Sequence, residues 1–319
     1  MFSVLNHSVI RQLDKLVLYT MNQRVPESLQ TTYQDTPAFE TVLAQTAVDL
    51  SQTPDYALSA PGEHTIQLNT MLGPITCHVR VRPARDPHAP LLIYHHGFSE
   101  MPYYGSWQRL FPKNHPYPVH SVCIQAPYHD HWRAPFEQSM ASVLHIYQTF
   151  AGSLRLMELM QNHFEANGAP YTMLAGVSWG GITSLLYEGL FQRTAAVIPM
   201  LSSPDLAQVL LDIAEMFGRP IDISRRELKQ LLDFSPYFDR FDNDKVYPLL
   251  GERDLFFRYE NHQHHFANCQ LNTISQGHIS GFFHIAPLRQ HLTQTLQHLI
   301  PSNKQVEDAR FPVISQPVA

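Results

Sequence analysis

Cysteine is scarce: the 319 residues hold three, Cys77, Cys123 and Cys269. An odd and sparse count does not make a disulfide framework, so a reducing, cytoplasmic setting is expected. Positive charge is scarce too. Lys and Arg number 22 against 28 Asp and Glu, a net charge of -6, which leaves no basic field to hold a nucleic-acid backbone. Charged residues make up 16% and hydrophobic residues 44%, the balance of a globular chain that buries a core, not of a disordered one. No charged-then-apolar signal pattern occurs in 1–30; Val9, Leu13, Leu16, Val17 and Met21 follow helical spacing and predict a short amphipathic helix. No transmembrane segment is expected. The stretch 166–187 carries no formal charge, but Pro170, Gly176, Gly180 and Gly181 interrupt it. What is abundant is histidine, 19 residues, which raises metal binding as a question for local spacing to answer.

Short apolar runs alternate with longer helical patterns, the signature of an α/β fold. Eight runs read as strands: His64–Asn69 and Ile75–Arg82 as a hairpin around Leu72-Gly73-Pro74, then Leu91–His95, Ser121–Gln125, Tyr171–Val177, Ala195–Met200, Lys245–Leu250 and Cys269–Ile274. The last five are apolar enough to expect burial on both faces of a parallel sheet. Met140, Val143, Leu144, Tyr147, Phe150, Leu154, Met157, Met160 and Phe164 recur at helical steps and predict a long helix ended by Asn167-Gly168. Leu288, Leu292, Leu296 and Leu299 predict a last helix starting near Pro287. Between the sixth and seventh strands, 201–244 carries two helical patterns of its own, one after Ser203-Pro204 and one behind a Ser224/Glu227 capping box. We expect a lead at 1–60, a main domain at 61–300 with 201–244 inserted as a helical cap, and an irregular tail at 301–319.

The sharpest feature is Gly176-Val177-Ser178-Trp179-Gly180-Gly181, with an apolar strand before it and Ile182, Leu185, Leu186 and Leu190 at helical spacing after it. A G-x-S-x-G turn between strand and helix strains the serine backbone, packs too tightly for side chains at the glycines, and lifts the hydroxyl clear of the strand. Ser178 is the candidate nucleophile. At this point the chain resembles the α/β-hydrolase superfamily, whose nucleophile elbow matches Gly176–Gly180 and whose chain order is nucleophile, acid, histidine. The resemblance covers roughly 68–299. It implies a mostly parallel central sheet of about eight strands flanked by helices, with a small helical cap. It also implies an acid after a late strand, where Leu249-Leu250-Gly251-Glu252-Arg253-Asp254 has the matching G-x-x-D, and a histidine after the next strand, where Gly277-His278 stands. Asp254 and His278 are so assigned. An oxyanion hole would take the amide of Trp179 and one from His96-Gly97-Phe98, with Phe98 preferred and Ser99 the alternate.

Rival placements exist for each partner. Asp205, after the sixth strand, and Glu252 compete for the acid, and His284 competes with His278. His262, His264 and His265 form an H-x-H-H cluster, but no paired cysteine completes a zinc pattern, and surface histidines are the favoured reading. Tyr128-His129-Asp130-His131-Trp132 follows the fourth strand and reads as pocket wall or plain loop. Met101, Tyr103, Tyr104 and Trp107 either line an acyl site or pack under the cap.

The set implies a serine hydrolase that cleaves a carboxylic ester or thioester of a small or acyl substrate through an acyl-enzyme, with no cofactor and no metal. A serine peptidase or acyltransferase would use the same site. From another class, a non-hydrolytic protein could keep the fold and bind an unmodified small ligand.

Overall fold

A computed structural model describes residues 12–19, 35–51, 55–113, 117–129, 136–218, 221 and 223–300. The core is a nine-stranded sheet in the order β1-β2-β3-β5-β4-β6-β7-β8-β9. Its antiparallel side is β1 (Ala47–Asp49), β2 (Gly62–Thr70) and β3 (Gly73–Arg82), with β3 antiparallel to β5 (His120–Ile124). From β5 onward, β4 (Leu91–His95), β6 (Thr172–Val177), β7 (Ala196–Met200), β8 (Leu249–Gly251) and β9 (Asn272–Ile274) run parallel. The fold is that of the α/β hydrolases.

The eight expected strands are all present, several with shifted ends, and β1 makes a ninth. Three residues with no apolar alternation gave β1 no signal of its own; it is ordered by pairing Ala47 with Asn69. The run 245–250 shortens because Asn243–Lys245 forms a 3-10 turn and Pro248 has no N–H to give a ladder. Strand β9 departs from the expectation of two buried faces: Asn272 and Thr273 are exposed, because β9 is the sheet's edge.

Helices cover both faces. On one lie α2 (Phe39–Ala44), α4 (Val143–Ala166) and α5 (Trp179–Phe191), whose Val42, Phe150, Leu154, Met157, Ile182 and Leu185 are buried in one core with Ile66, Leu68, Val79 and Ile93. On the other, α3 (Gly105–Leu110) and α11 (Ala286–Leu299) bury Trp107, Leu110, Leu288, Leu292 and Leu296 against Leu92, Tyr94 and Met173. Each such leucine withdrawn from water contributes about 2 kcal/mol. Between β7 and β8 run α6 (Leu206–Phe217), α7 (Arg225–Leu232) and α8 (Ser235–Phe238), and between β8 and β9 the short α9 (Tyr259–His262); α7 starts on the Ser224/Glu227 capping box.

A helix also spans 12–19, here α1. Its buried residues are Asp14 and Leu18, one turn apart, while Leu16 is 61% exposed. The apolar spacing had put Leu16 on the buried face; Val9 and Met21, the ends of that pattern, lie outside the described residues. No described helix is long and apolar enough to cross a membrane.

Candidate active site

The loops that leave the C-terminal ends of β4, β6, β8 and β9 meet at one place, where open parallel sheets hold their ligands. Ser178 follows β6 directly. Its backbone has φ 55 and ψ -118, a conformation that costs a non-glycine residue about 1–3 kcal/mol. The strain is held by the Ser178 amide, which donates to Met200 O at 2.9 Å, and by the amides of Gly181 and Ile182, which donate back to Ser178 O. The glycines are required by contact. A Cβ on Gly176 would fall inside the backbone of Gly180, and one on Gly180 inside the backbone of His95.

Asp254 and His278 come to the same serine from β8 and β9. The His278 ring lies with Nε2 2.9 Å from Ser178 Oγ and Nδ1 2.7 Å from Asp254 Oδ2. The other Asp254 oxygen, Oδ1, accepts the amides of Phe256 at 2.7 Å and Phe257 at 2.9 Å, which fixes the carboxylate plane. Phe256 and Phe257 stack on the His278 ring with centroids 4.3 and 5.7 Å away. Burial works against an imidazolium at His278, but the charge and hydrogen bond of Asp254, helped by Asp14, outweigh it and raise the ring's pKa. A raised pKa favours a ring that takes a proton from the serine.

Gly97 lies beside Ser178: a Cβ on it would be 3.7 Å from Ser178 Cβ. The Phe98 and Trp179 rings are 5.5 Å apart. Trp179 opens α5, and among the described residues no hydrogen bond takes up its amide. Its indole is stacked on Phe150 of α4, 4.2 Å between centroids and 3° from parallel. Ser99, the alternate donor, has its amide committed to His129 Nε2 at 3.3 Å. The loop is braced from below. Glu100 accepts the amide of Gly97 at 3.3 Å together with the amide and hydroxyl of Ser106, and burial raises its carboxyl to about 7.

The rival residues lie elsewhere. Asp205 caps α6 by accepting Gln208 N at 2.9 Å and pairs with Lys229, while the carboxylate at His278 Nδ1 is that of Asp254. Glu252 accepts the hydroxyls of Thr273 and Ser275, and His284 lies against Gln276. His262 corrects the surface-histidine reading. It is fully buried, 2.5 Å from Ser203 Oγ, and burial lowers its pKa to about 3. Among the described residues, no three His, Cys, Asp or Glu side chains are placed to hold a metal ion. His129 is a buried loop brace, its Nδ1 2.9 Å from Pro127 O; Asp130, His131 and Trp132 lie outside the described residues. Tyr103 bonds Glu63, Tyr104 lies under Arg80, and the buried Trp107 donates to Ser121 Oγ, so these aromatic residues support the loop from the sheet side.

One site neighbour escaped the sequence reading. Asp14 Oδ2 accepts the amides of Leu255 at 3.2 Å and His278 at 2.9 Å, and Oδ1 accepts Ile279 N at 2.9 Å. The available signal was an acid flanked by Leu13 and Val17 on an amphipathic helix, which nothing local connects to a site far along the chain.

No protein-family model and no curated protein matches the sequence. Solved structures do match in fold. An acetyl xylan esterase from Paenibacillus sp. R4 superposes with a TM-score of 0.55 at 12% identity, over 85% of this chain and 94% of that one. Est1E from Butyrivibrio proteoclasticus gives 0.50 at 16% identity over 70% and 95%. DcsB, solved with a substrate analogue, gives 0.51 at 12% identity over 75% and 100%.

Proposed function

We propose that the protein is a serine hydrolase that cleaves a carboxylic ester or thioester of a small or acyl substrate. The observation that carries this reading is the relay from Asp254 through His278 to Ser178, at 2.7 and 2.9 Å, on a strained elbow. A serine hydroxyl is a poor nucleophile at neutral pH, so its attack on a carbonyl carbon depends on His278 Nε2 taking the proton as the bond forms. Asp254 holds the imidazole proton at Nδ1 and stabilises the imidazolium. The carbonyl oxygen, now negative, is received by the amide of Trp179 at the N-terminus of α5 and by that of Phe98. Return of the proton to the leaving oxygen or sulfur expels it. Water, deprotonated by His278, then releases the acid from Ser178. The fold shared with a protein named as an acetyl xylan esterase supports an ester as the substrate class.

The test is intact-mass labelling with a fluorophosphonate on wild type and Ser178→Ala, followed by peptide mapping. We expect one adduct on Ser178, absent from the variant, and turnover of short-chain aryl esters by wild type only. Folded wild type that takes no adduct and turns over no ester, yet binds a small ligand unchanged, would replace this reading with the non-hydrolytic one.

A further inference from the structure

Helix α10 (His278–Phe283) begins at His278, and its N-cap position is Gly277, which has no side chain to accept the exposed amides of the first turn. The acceptor comes instead from 264 residues earlier in the chain. Asp14 on α1 takes the His278 and Ile279 amides with its two oxygens, and Oδ2 also takes the amide of Leu255, the residue after Asp254. One carboxylate therefore ties the loop of the acid to the loop of the histidine. It does so with no water exposure, and it is flanked by Leu18 as the other buried residue of its helix.

We propose that α1 is a clasp on the site and that Asp14 is a positioning residue, holding His278 and Asp254 in register with Ser178 and adding negative charge behind the imidazole. This rests on the hydrolase reading and deepens it. Asp14 does not touch the reacting atoms; it acts through the two loops and through the field at the ring. The charged and titratable groups that face it are Asp254 and His278. Burial, and then the Asp254 charge, raise the Asp14 carboxyl to about 6, with His278 and the two α10 amides pulling the other way. A charge kept buried beside another carboxylate is costly, and the three amides it accepts, from Leu255, His278 and Ile279, offset that cost.

The experiment compares full-length wild type, Asp14→Asn, Asp14→Ala and Leu16→Ser. Asparagine keeps the shape but offers one acceptor oxygen, so it leaves either Ile279 or the His278 and Leu255 pair facing an NH2 group. We read two quantities: the second-order rate of fluorophosphonate labelling at Ser178, and the titration midpoint of the His278 ring by NMR, assigned by its loss in His278→Gln. Labelling should fall about 10-fold in Asp14→Asn and about 100-fold in Asp14→Ala, the scale of a catalytic group displaced by a fraction of an ångström to one ångström. The His278 midpoint should move down in both, because a negative charge that favours the imidazolium has gone. Leu16→Ser, on the exposed side of the same helix, should match wild type. Folded variants that label at the wild-type rate with an unmoved His278 midpoint would overturn the proposal, even if they melt earlier. If Asp14→Ala does not fold, Asp14→Asn decides. Wild type that fails to label sinks the hydrolase reading alone, while the His278 midpoint, read without substrate, still judges Asp14.

Discussion

On the proposed hydrolase function, replacing Asp254 by asparagine should abolish most of the activity without disturbing the fold. Asp254 Oδ1 receives two backbone amides, from Phe256 at 2.7 Å and Phe257 at 2.9 Å. In Asp254→Asn the carbonyl oxygen must stay there, because an NH2 group would face two N–H donors. The NH2 group is then forced toward His278 Nδ1, which the carboxylate meets at 2.7 Å. A donor at that position requires a lone pair on Nδ1, so the ring proton moves to Nε2 and points at Ser178 Oγ, 2.9 Å away. The ring can no longer accept the serine proton. A wrong tautomer of this kind costs about 10^4-fold in turnover, equivalent to about 5 kcal/mol of transition-state stabilisation. Steady-state hydrolysis of an aryl ester, with circular dichroism to check folding, gives the comparison. A folded Asp254→Asn that keeps more than about a tenth of wild-type turnover would refute the tautomer argument and the assignment of the acid with it.

Asp205→Asn should do the reverse, leaving ester turnover within about twofold while weakening the fold. Burial opposes the Asp205 charge, but the His265 ring, the Lys229 ammonium and the Gln208 amide lower its pKa to about 2. A carboxyl depressed from 3.8 contributes stability that is present above about pH 4 and is lost as pH falls toward 2, of order 2 kcal/mol. The difference in denaturant midpoint between wild type and variant should therefore be wide at pH 7 and narrow at pH 3. Glu100 has the opposite sign. Burial raises it from 4.5 to about 7, so its contribution is full below pH 4.5 and disappears as pH rises through 7, of order 3 kcal/mol. Denaturation at pH 5 and pH 8 should show wild type losing stability across that range and Glu100→Gln losing less; equal slopes would mean Glu100 is already ionised when buried.

Several elements were legible because their signals are local. The long helix α4 repeats apolar residues over many turns and begins on Ser142, which accepts His145 N. The capping box of α7 is written in two residues three apart. The elbow is readable because glycines are demanded wherever strand and helix backbones touch. Strand β1 was not legible: three residues carry no periodicity, and only the register with β2 makes them a strand. The face of α1 was misjudged for a related reason. Its apolar spacing favoured Leu16, yet Leu16 is exposed and the acid Asp14 is buried, since what the helix packs against is a row of backbone amides.

By itself, the order of residues determined which serine sits on a strand-to-helix turn and which sheet type the apolar runs build, short-range properties set by backbone sterics and by side-chain period. Where an acid and a histidine follow the late strands was implied by the resemblance to the α/β-hydrolase superfamily. Only the tertiary structure decided that Asp205 serves a helix cap while Asp254 meets His278, that His129 takes the amide of Ser99 beside Phe98, and that the Asp14 carboxylate takes the amides of Leu255, His278 and Ile279. Those outcomes depend on which loop ends converge at the parallel strands, and on where buried N–H groups need an acceptor that their own segment lacks. Neither is written in any stretch of sequence shorter than the fold.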